Sequence, residues 1–160
     1  SKPQAIHRLD FPTSGALLIG KTAGIVSILN KLFEERGIEK KYHAICIGNI
    51  STDGRVETPI DDKVSVSIYR VLSQLQSDKY GGLNLLELTL ETGRRHQLRK
   101  HLSSIGNPIL GDQNYGIEGR VMTGNGLYLH ASSLKFAHPI SQEEIYIQSP
   151  LPKKFQKLFP

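Results

Sequence analysis

The decapeptide IHRLDFPTSG, residues 6–15, decides how the rest of the chain reads. Ile6 and Leu9 bracket the charged pair His7 and Arg8. Asp10 follows, and then a loop-forming run of Pro12, Thr13, Ser14 and Gly15. From Ala16 to Ile19 the chain is apolar again, so Asp10 is expected on a turn between two packed elements. A carboxylate in that position is costly unless water or a cation satisfies it. On residue type alone, a lone Asp before such a run reads as a turn or cap residue.

The 16 residues HRLDFPTSGALLIGKT, positions 7–22, resemble the signature of the RluA-type pseudouridine synthases, in which HRLD is followed two residues later by TSG and then by an apolar strand. Two further stretches carry the same resemblance. Lys40, Tyr42 and Ala44 match a Lys, any residue, Tyr, any residue, Ala pattern. The run ETGRRHQLRKHLSSIGNPILGDQNYG, residues 91–116, matches the family at Thr92, Gly93, Arg94, His96, Gln97, Leu98, Arg99 and His101, and later at Gly111, Asp112, Tyr115 and Gly116. Leu129, His130 and Ala131 match the family's LHA element.

The resemblance implies an α+β pseudouridine synthase fold: a largely antiparallel mixed sheet with a few flanking helices. It implies Asp10 as the catalytic carboxylate, Tyr42 as the active-site tyrosine and Arg99 as the arginine paired with Asp10. Arg8 matches the arginine that fills the gap left by a flipped base. Arg94, His96, Gln97 and Leu129 are the further substrate-binding positions. Relatives carry additional strands ahead of the HRLD stretch, so residues 1–160 are expected to be a catalytic domain without those upstream strands.

Composition agrees with one soluble domain. At 160 residues, a chain buries roughly 70% of the surface its unfolded form exposes, which suits a single core. Hydrophobic residues make up 38% and charged residues 22%, and no run approaches the ~18 apolar residues of a membrane span. The single cysteine, Cys46, has no intramolecular partner and sits in an apolar run, which fits a packing role in a reducing, cytoplasmic setting. The formal charge of +5 and pI near 9.4 favour a polyanionic partner. A monomer is expected.

Along the chain, Ile25, Ile28, Leu29, Leu32 and Phe33 trace one apolar stripe, predicting a helix over 22–36 that Thr22 caps and Gly37 ends. Strands are expected over 40–48, 54–60, 71–76, 83–90, 127–137 and 145–148. The alternation of Val64, Val66 and Ile68 with Ser65, Ser67 and Tyr69 suggests a half-exposed strand. Asp61 and Asp62 read as solvated turn residues. Leu98, Leu102 and Ile105 predict a helix over 94–105 ended by Gly106, with Arg95 and Arg99 side by side at the edge of its apolar face. The wheel does not choose between those two arginines; the resemblance selects Arg99. A short basic helix closes the chain, with Phe155, Leu158 and Phe159 on one side.

No metal is expected. His96 and His101 lie five apart, off the i, i+4 geometry of helical zinc pairs, with no nearby cysteine. No cofactor is expected either, since no phosphate-cradling glycine motif is present. The implied reaction converts a uridine in structured tRNA or rRNA to pseudouridine. Residue types leave other classes open: a hydrolase using Asp10 with His7 or His96, an RNA-binding module without catalysis, or an interaction domain. Asp112, in a glycine-bounded loop, is expected to serve a turn or an anchor.

Overall fold

The computed structural model describes residues 2–50 and 52–160. Its framework is a mixed sheet built from β2 (Ser14–Gly15), β4 (Glu39–Ile47), β5 (Gly54–Val56), β6 (Ser67–Leu75), β7 (Leu83–Leu90), β8 (Leu129–Ala137) and β9 (Glu144–Gln148). The spatial order is β2-β8-β4-β7-β6-β5, and β9 lies along the second half of β8, on the edge that β2 occupies near its start. Among the described residues only the β2–β8 pairing is parallel, so the sheet is largely antiparallel, as expected. A separate two-stranded ribbon joins β1 (Gln4–Ala5) to β3 (Ile19–Gly20).

Among the described residues three helices flank the sheet: α1 (Ala23–Glu34), α2 (Gln97–Ser104) and α3 (Lys153–Leu158). The larger core gathers Ile45, Leu86 and Leu88 from the sheet with Leu98 and Leu102 of α2 and Phe155 of α3. A second cluster lies under α1, where Val26 and Leu29 meet Ile6, Ile38, Leu134 and Phe136. Each fully buried aliphatic side chain of this kind contributes roughly 1.5–3 kcal/mol.

Helix α1 follows the expected span, with Thr22 Oγ1 accepting the Ile25 N–H. Its stripe is rotated from the expected one: Val26 is buried while Ile28 is 45% exposed. Gly37 does not take the left-handed terminating position. Arg36 does, at φ 58°, and the amides of Arg36 and Gly37 donate to the carbonyls of Phe33 and Leu32 in a Schellman arrangement. In α2 the same arrangement has a glycine in that position, because Gly106 is left-handed and the Gly106 and Asn107 amides return to Ser103 and Leu102.

The stretch 64–69 departs from its expected alternation: Val66 is buried, and the serines on either side of it, Ser65 and Ser67, are buried as well, while Val64 is exposed. Hydrogen bonding is the reason: Ser65 Oγ takes the Ile60 amide and donates to the Lys63 carbonyl, while Ser67 Oγ meets His101 Nδ1 at 2.7 Å. A polar group that finds partners can enter the core, and periodicity alone does not see partners. Asp61 and Asp62 form the exposed turn expected of them, both at positive φ between the bridged residues Ile60 and Lys63.

One glycine ties the decapeptide to the sheet. Gly15 has φ 119°, and a Cβ there would lie 2.1 Å from the Ala131 carbonyl oxygen. Any side chain would push β2 off β8. Ser14 adds a second tie, with its hydroxyl 2.7 Å from His130 Nδ1. The loop carrying Asp10 is therefore pinned to the strand that carries Leu129.

Candidate active site

The loop 7–13 stands over the junction of β4, β7 and the entry to α2. The amide of Thr13 donates to the Asp10 carbonyl at 2.8 Å, closing a turn that lifts the Asp10 carboxylate from the loop. Its side chain is 26% exposed. His7 anchors the loop from behind: its Nε2 accepts the Leu18 amide at 3.0 Å and its ring stacks on Phe33 with centroids 5.1 Å apart. Burial, then the charge of Lys40, pushes His7 down to about 4, so it is a neutral acceptor. Arg8 is exposed at the mouth and takes part in no ion pair among the described residues.

Tyr42 comes from β4, where a register shift between Lys41 and Tyr42 leaves Ser132 of β8 unpaired. Such bulges re-aim side chains beside sites. Tyr42 is 9% exposed, and burial followed by the negative charge of Asp10 pushes its phenol up to about 12. Asp10, Tyr42, Thr13, His96 and Leu129 border a cavity of about 90 Å³. It adjoins a cleft of about 1310 Å³ that also reaches Arg36, Lys40 and Arg95. Lys40 borders both, with its ammonium 5.3 Å from the Phe33 ring centre. Thr13 Oγ1 is buried without a hydrogen-bond partner among the described residues.

Helix α2 starts later than the expected 94–105. His96 adopts φ 54° and ψ 29°, a left-handed conformation that breaks the helix before Gln97. Gln97 closes this turn: its Oε1 accepts from Thr92 Oγ1 and the Arg94 amide, and its Nε2 donates to the Val66 carbonyl and Ser67 Oγ. Both ends of the amide are thus engaged within the protein, although Gln97 borders the small cavity. Arg94 uses Nε and Nη2 on the Val64 carbonyl. Arg95 falls outside the helix and is exposed, which separates it from Arg99.

Arg99 corrects the expected pairing. Its Nε and Nη2 donate to the two carboxylate oxygens of Asp112 at 2.9 and 2.8 Å, and the two side chains are 6% and 0% exposed. Asp10 is near enough for its charge to help raise the Arg99 pKa, behind the stronger Asp112 interactions, but it makes no ion pair with the guanidinium. The reason is local. Asp112 Oδ1 also accepts the amides of Asn114 and Tyr115, which leaves a fork matched to a guanidinium. Burial pushes the Asp112 carboxyl up, but the Arg99 bonds and those amides outweigh it and hold it below the usual carboxylate range. Asp112 is the anchor that its loop setting suggested.

His96 stands beside Asp10, with Nε2 3.8 Å from Asp10 Oδ1. Tyr115 stands behind His96 and was not singled out for a role from sequence. The spacing Asp112 to Tyr115, an acidic side chain accepting an amide three residues on, is the signal that marks it. Among the described residues no cluster of His, Cys, Asp or Glu could hold a metal, and no helix is long and apolar enough to cross a membrane.

The sequence profile described as RNA pseudouridylate synthase matches residues 1–104. Ribosomal large subunit pseudouridine synthase D of Vibrio parahaemolyticus is 33% identical over 92% of this chain and 52% of its own length. The tRNA pseudouridine synthase C of Haemophilus ducreyi is 35% identical, with 96% of this chain and 74% of that protein covered. Among solved structures, human RNA pseudouridylate synthase domain containing 1 superposes with a TM-score of 0.80 at 27% identity, covering 92% of this chain and 69% of that one. The chain thus spans about half of one curated relative and about three quarters of the other.

Proposed function

The chain belongs to the RNA pseudouridylate synthase family, in its RluA-type branch, and we propose that it isomerises uridine to pseudouridine in a structured tRNA or rRNA, with Asp10 as the reacting carboxylate. The observation that carries this reading is the contrast within the site: Asp10 borders the cavity and, among the described residues, makes no ion pair with an arginine, while the other carboxylate, Asp112, is spent on Arg99. The bond from uracil N1 to C1′ breaks, the base turns, and C5 joins C1′. Uracil C5 gives up its proton and N1 gains one, so composition is unchanged and no redox partner is needed. A carboxylate serves either as nucleophile at C1′ or as base at C2′.

Tyr42 supplies a ring against the flipped uracil and a phenol that stays protonated at neutral pH, since about 12 is far above it. That supports a packing and hydrogen-donating role rather than that of a resting base. To Arg8, exposed beside Asp10, we assign the filling of the stack the target base leaves. His96, Leu129, Arg94 and Gln97 border the base cavity, and Arg94 and Gln97 also shape the turn at the start of α2 through their own hydrogen bonds. Arg99 acts on Asp10 at a distance, through charge. We assign this work to a single catalytic domain, acting as a monomer in the cytoplasm without metal or cofactor.

The test is to incubate the protein with tRNA and rRNA transcripts tritiated at uracil C5 and follow tritium release and pseudouridine content. Pseudouridine with wild type and none with Asp10→Ala is the expected result. Equal product from the two proteins would overturn the assignment of Asp10.

A further inference from the structure

Tyr115 takes no part in the reaction as drawn, yet it touches both halves of the site. Its amide donates to Asp112 Oδ1 at 3.1 Å and its carbonyl accepts from Ser103 Oγ at 2.8 Å. The Arg99 guanidinium lies 5.1 Å from its ring centre. Its hydroxyl is 2.8 Å from His96 Nδ1, and the two rings meet edge to face at 5.6 Å. On the far side of the imidazole, Nε2 faces Asp10 Oδ1 at 3.8 Å. The left-handed backbone of His96, costly for a residue with a side chain, is held where it can span these two groups.

A neutral imidazole has one N–H and one lone pair, and the partner on one nitrogen decides what the other presents. With the proton on Nδ1, a lone pair would face the Asp10 carboxylate. With the proton on Nε2, the phenol donates to Nδ1 and the N–H faces Asp10, so both contacts become attractive. The groups facing His96 are Tyr115, Asp10, Arg99, Arg95 and Lys100. Burial lowers its pKa, the Asp10 charge opposes this, and the three cations add to the lowering, which keeps the ring neutral.

We propose that Tyr115 is a positioning residue whose hydroxyl fixes His96 in the Nε2–H tautomer, so that His96 presents an N–H to the Asp10 carboxylate. Asp112 fixes Tyr115, and the buried ion pair thereby reaches the reacting carboxylate through Tyr115 and His96. The gap of 3.8 Å closes to a hydrogen bond when substrate fills the cavity, as contacts in unliganded sites commonly tighten. The N–H then orients Asp10 and stabilises its negative charge up to the moment that charge is consumed. The kinetic part of this inference rests on the function proposed above; the tautomer does not.

Nitrogen-15 long-range NMR on the imidazoles reads the tautomer directly, with His96→Gln identifying which of the six histidines is His96. The expected result is a neutral His96 at pH 7 carrying its proton on Nε2. In Tyr115→Phe the tautomers mix, and kcat falls ~tenfold with KM within ~twofold. Tyr115→Phe keeps every backbone bond made by residue 115, so folding is retained. An Nδ1–H tautomer in wild type, or an unchanged spectrum and unchanged kcat in Tyr115→Phe, would overturn the proposal. If wild type modifies no RNA, the functional proposal fails while the spectra still decide the tautomer.

Discussion

Asp10 and Asp112 lie on either side of Arg99's end of the site, and they have opposite fates. Asp112 is fully buried, forked onto a guanidinium and capped by two amides. Asp10 is a quarter exposed on its side chain, opens onto a cavity, and among the described residues has an ion-pair contact only with the more distant His96. A carboxylate whose lone pairs are all engaged holds a fold together; one whose oxygens face a base-sized hollow can attack or take a proton. The lesson is that an arginine near a site is drawn to the carboxylate with the better-matched fork, and the less satisfied carboxylate is left for chemistry.

The contrast breaks most visibly in rates. Asp10→Asn should lower pseudouridine formation by at least ~10⁴-fold, as removal of a reacting group does. Its melting temperature should move by less than ~2 °C, since nothing in the fold leans on that side chain. Asp112→Asn should do the reverse in kind. Leaving Arg99 buried without its partner costs roughly 3–5 kcal/mol, which chemical denaturation would read and which amounts to a drop of about 6–20 °C in melting temperature. The pH dependence has a defined sign: the Asp112 carboxyl is lowered from 3.8 in the folded state, so its contribution is complete above pH 4 and is lost as pH falls below that. The variant should lack this acid limb.

A smaller effect sharpens the view of the cavity. Tyr42→Phe retains the ring and should cost ~tenfold in turnover, whereas Tyr42→Leu should cost ~10²-fold. Because the phenol is pushed up to about 12, turnover should show no limb from Tyr42 between pH 8 and pH 10. The smallest effect concerns the loop behind Asp10. His7 has its pKa lowered to about 4 in the fold, so its contribution is complete above pH 6.5 and declines as pH falls from 6.5 towards 4. Urea melts at pH 7 and pH 5 should therefore differ more for wild type than for His7→Gln.

Much of the molecule was legible in the sequence, and the parts that were not share a cause. The span of α1, the hairpin of β6 and β7, the turn at Asp61 and Asp62 and the terminating role of Gly106 follow from local patterns, and the structure has them. The convergence of Asp10, Tyr42, His96 and Leu129 on one cavity followed from the matched motifs. What the sequence hid were partners made across the chain. Ser65 and Ser67 turn inward because the Ile60 amide and His101 await them. Arg99 turns to Asp112, 13 residues on, because two loop amides have already shaped that carboxylate into a fork. His96 breaks α2 because Tyr115 and Asp10 lie on opposite sides of its ring, and a pattern of apolar residues carries no trace of that.

The most direct test is a side-by-side measurement of single-turnover pseudouridine formation and thermal stability in Asp10→Asn and Asp112→Asn on one RNA that wild type modifies. The expected outcome is a wild-type melting temperature with no product for Asp10→Asn, and a clearly lowered melting temperature for Asp112→Asn with product still formed at temperatures where it is folded. Product from Asp10→Asn at a rate near wild type, or an Asp112→Asn protein as stable as wild type, would contradict the division between a reacting and an anchoring carboxylate.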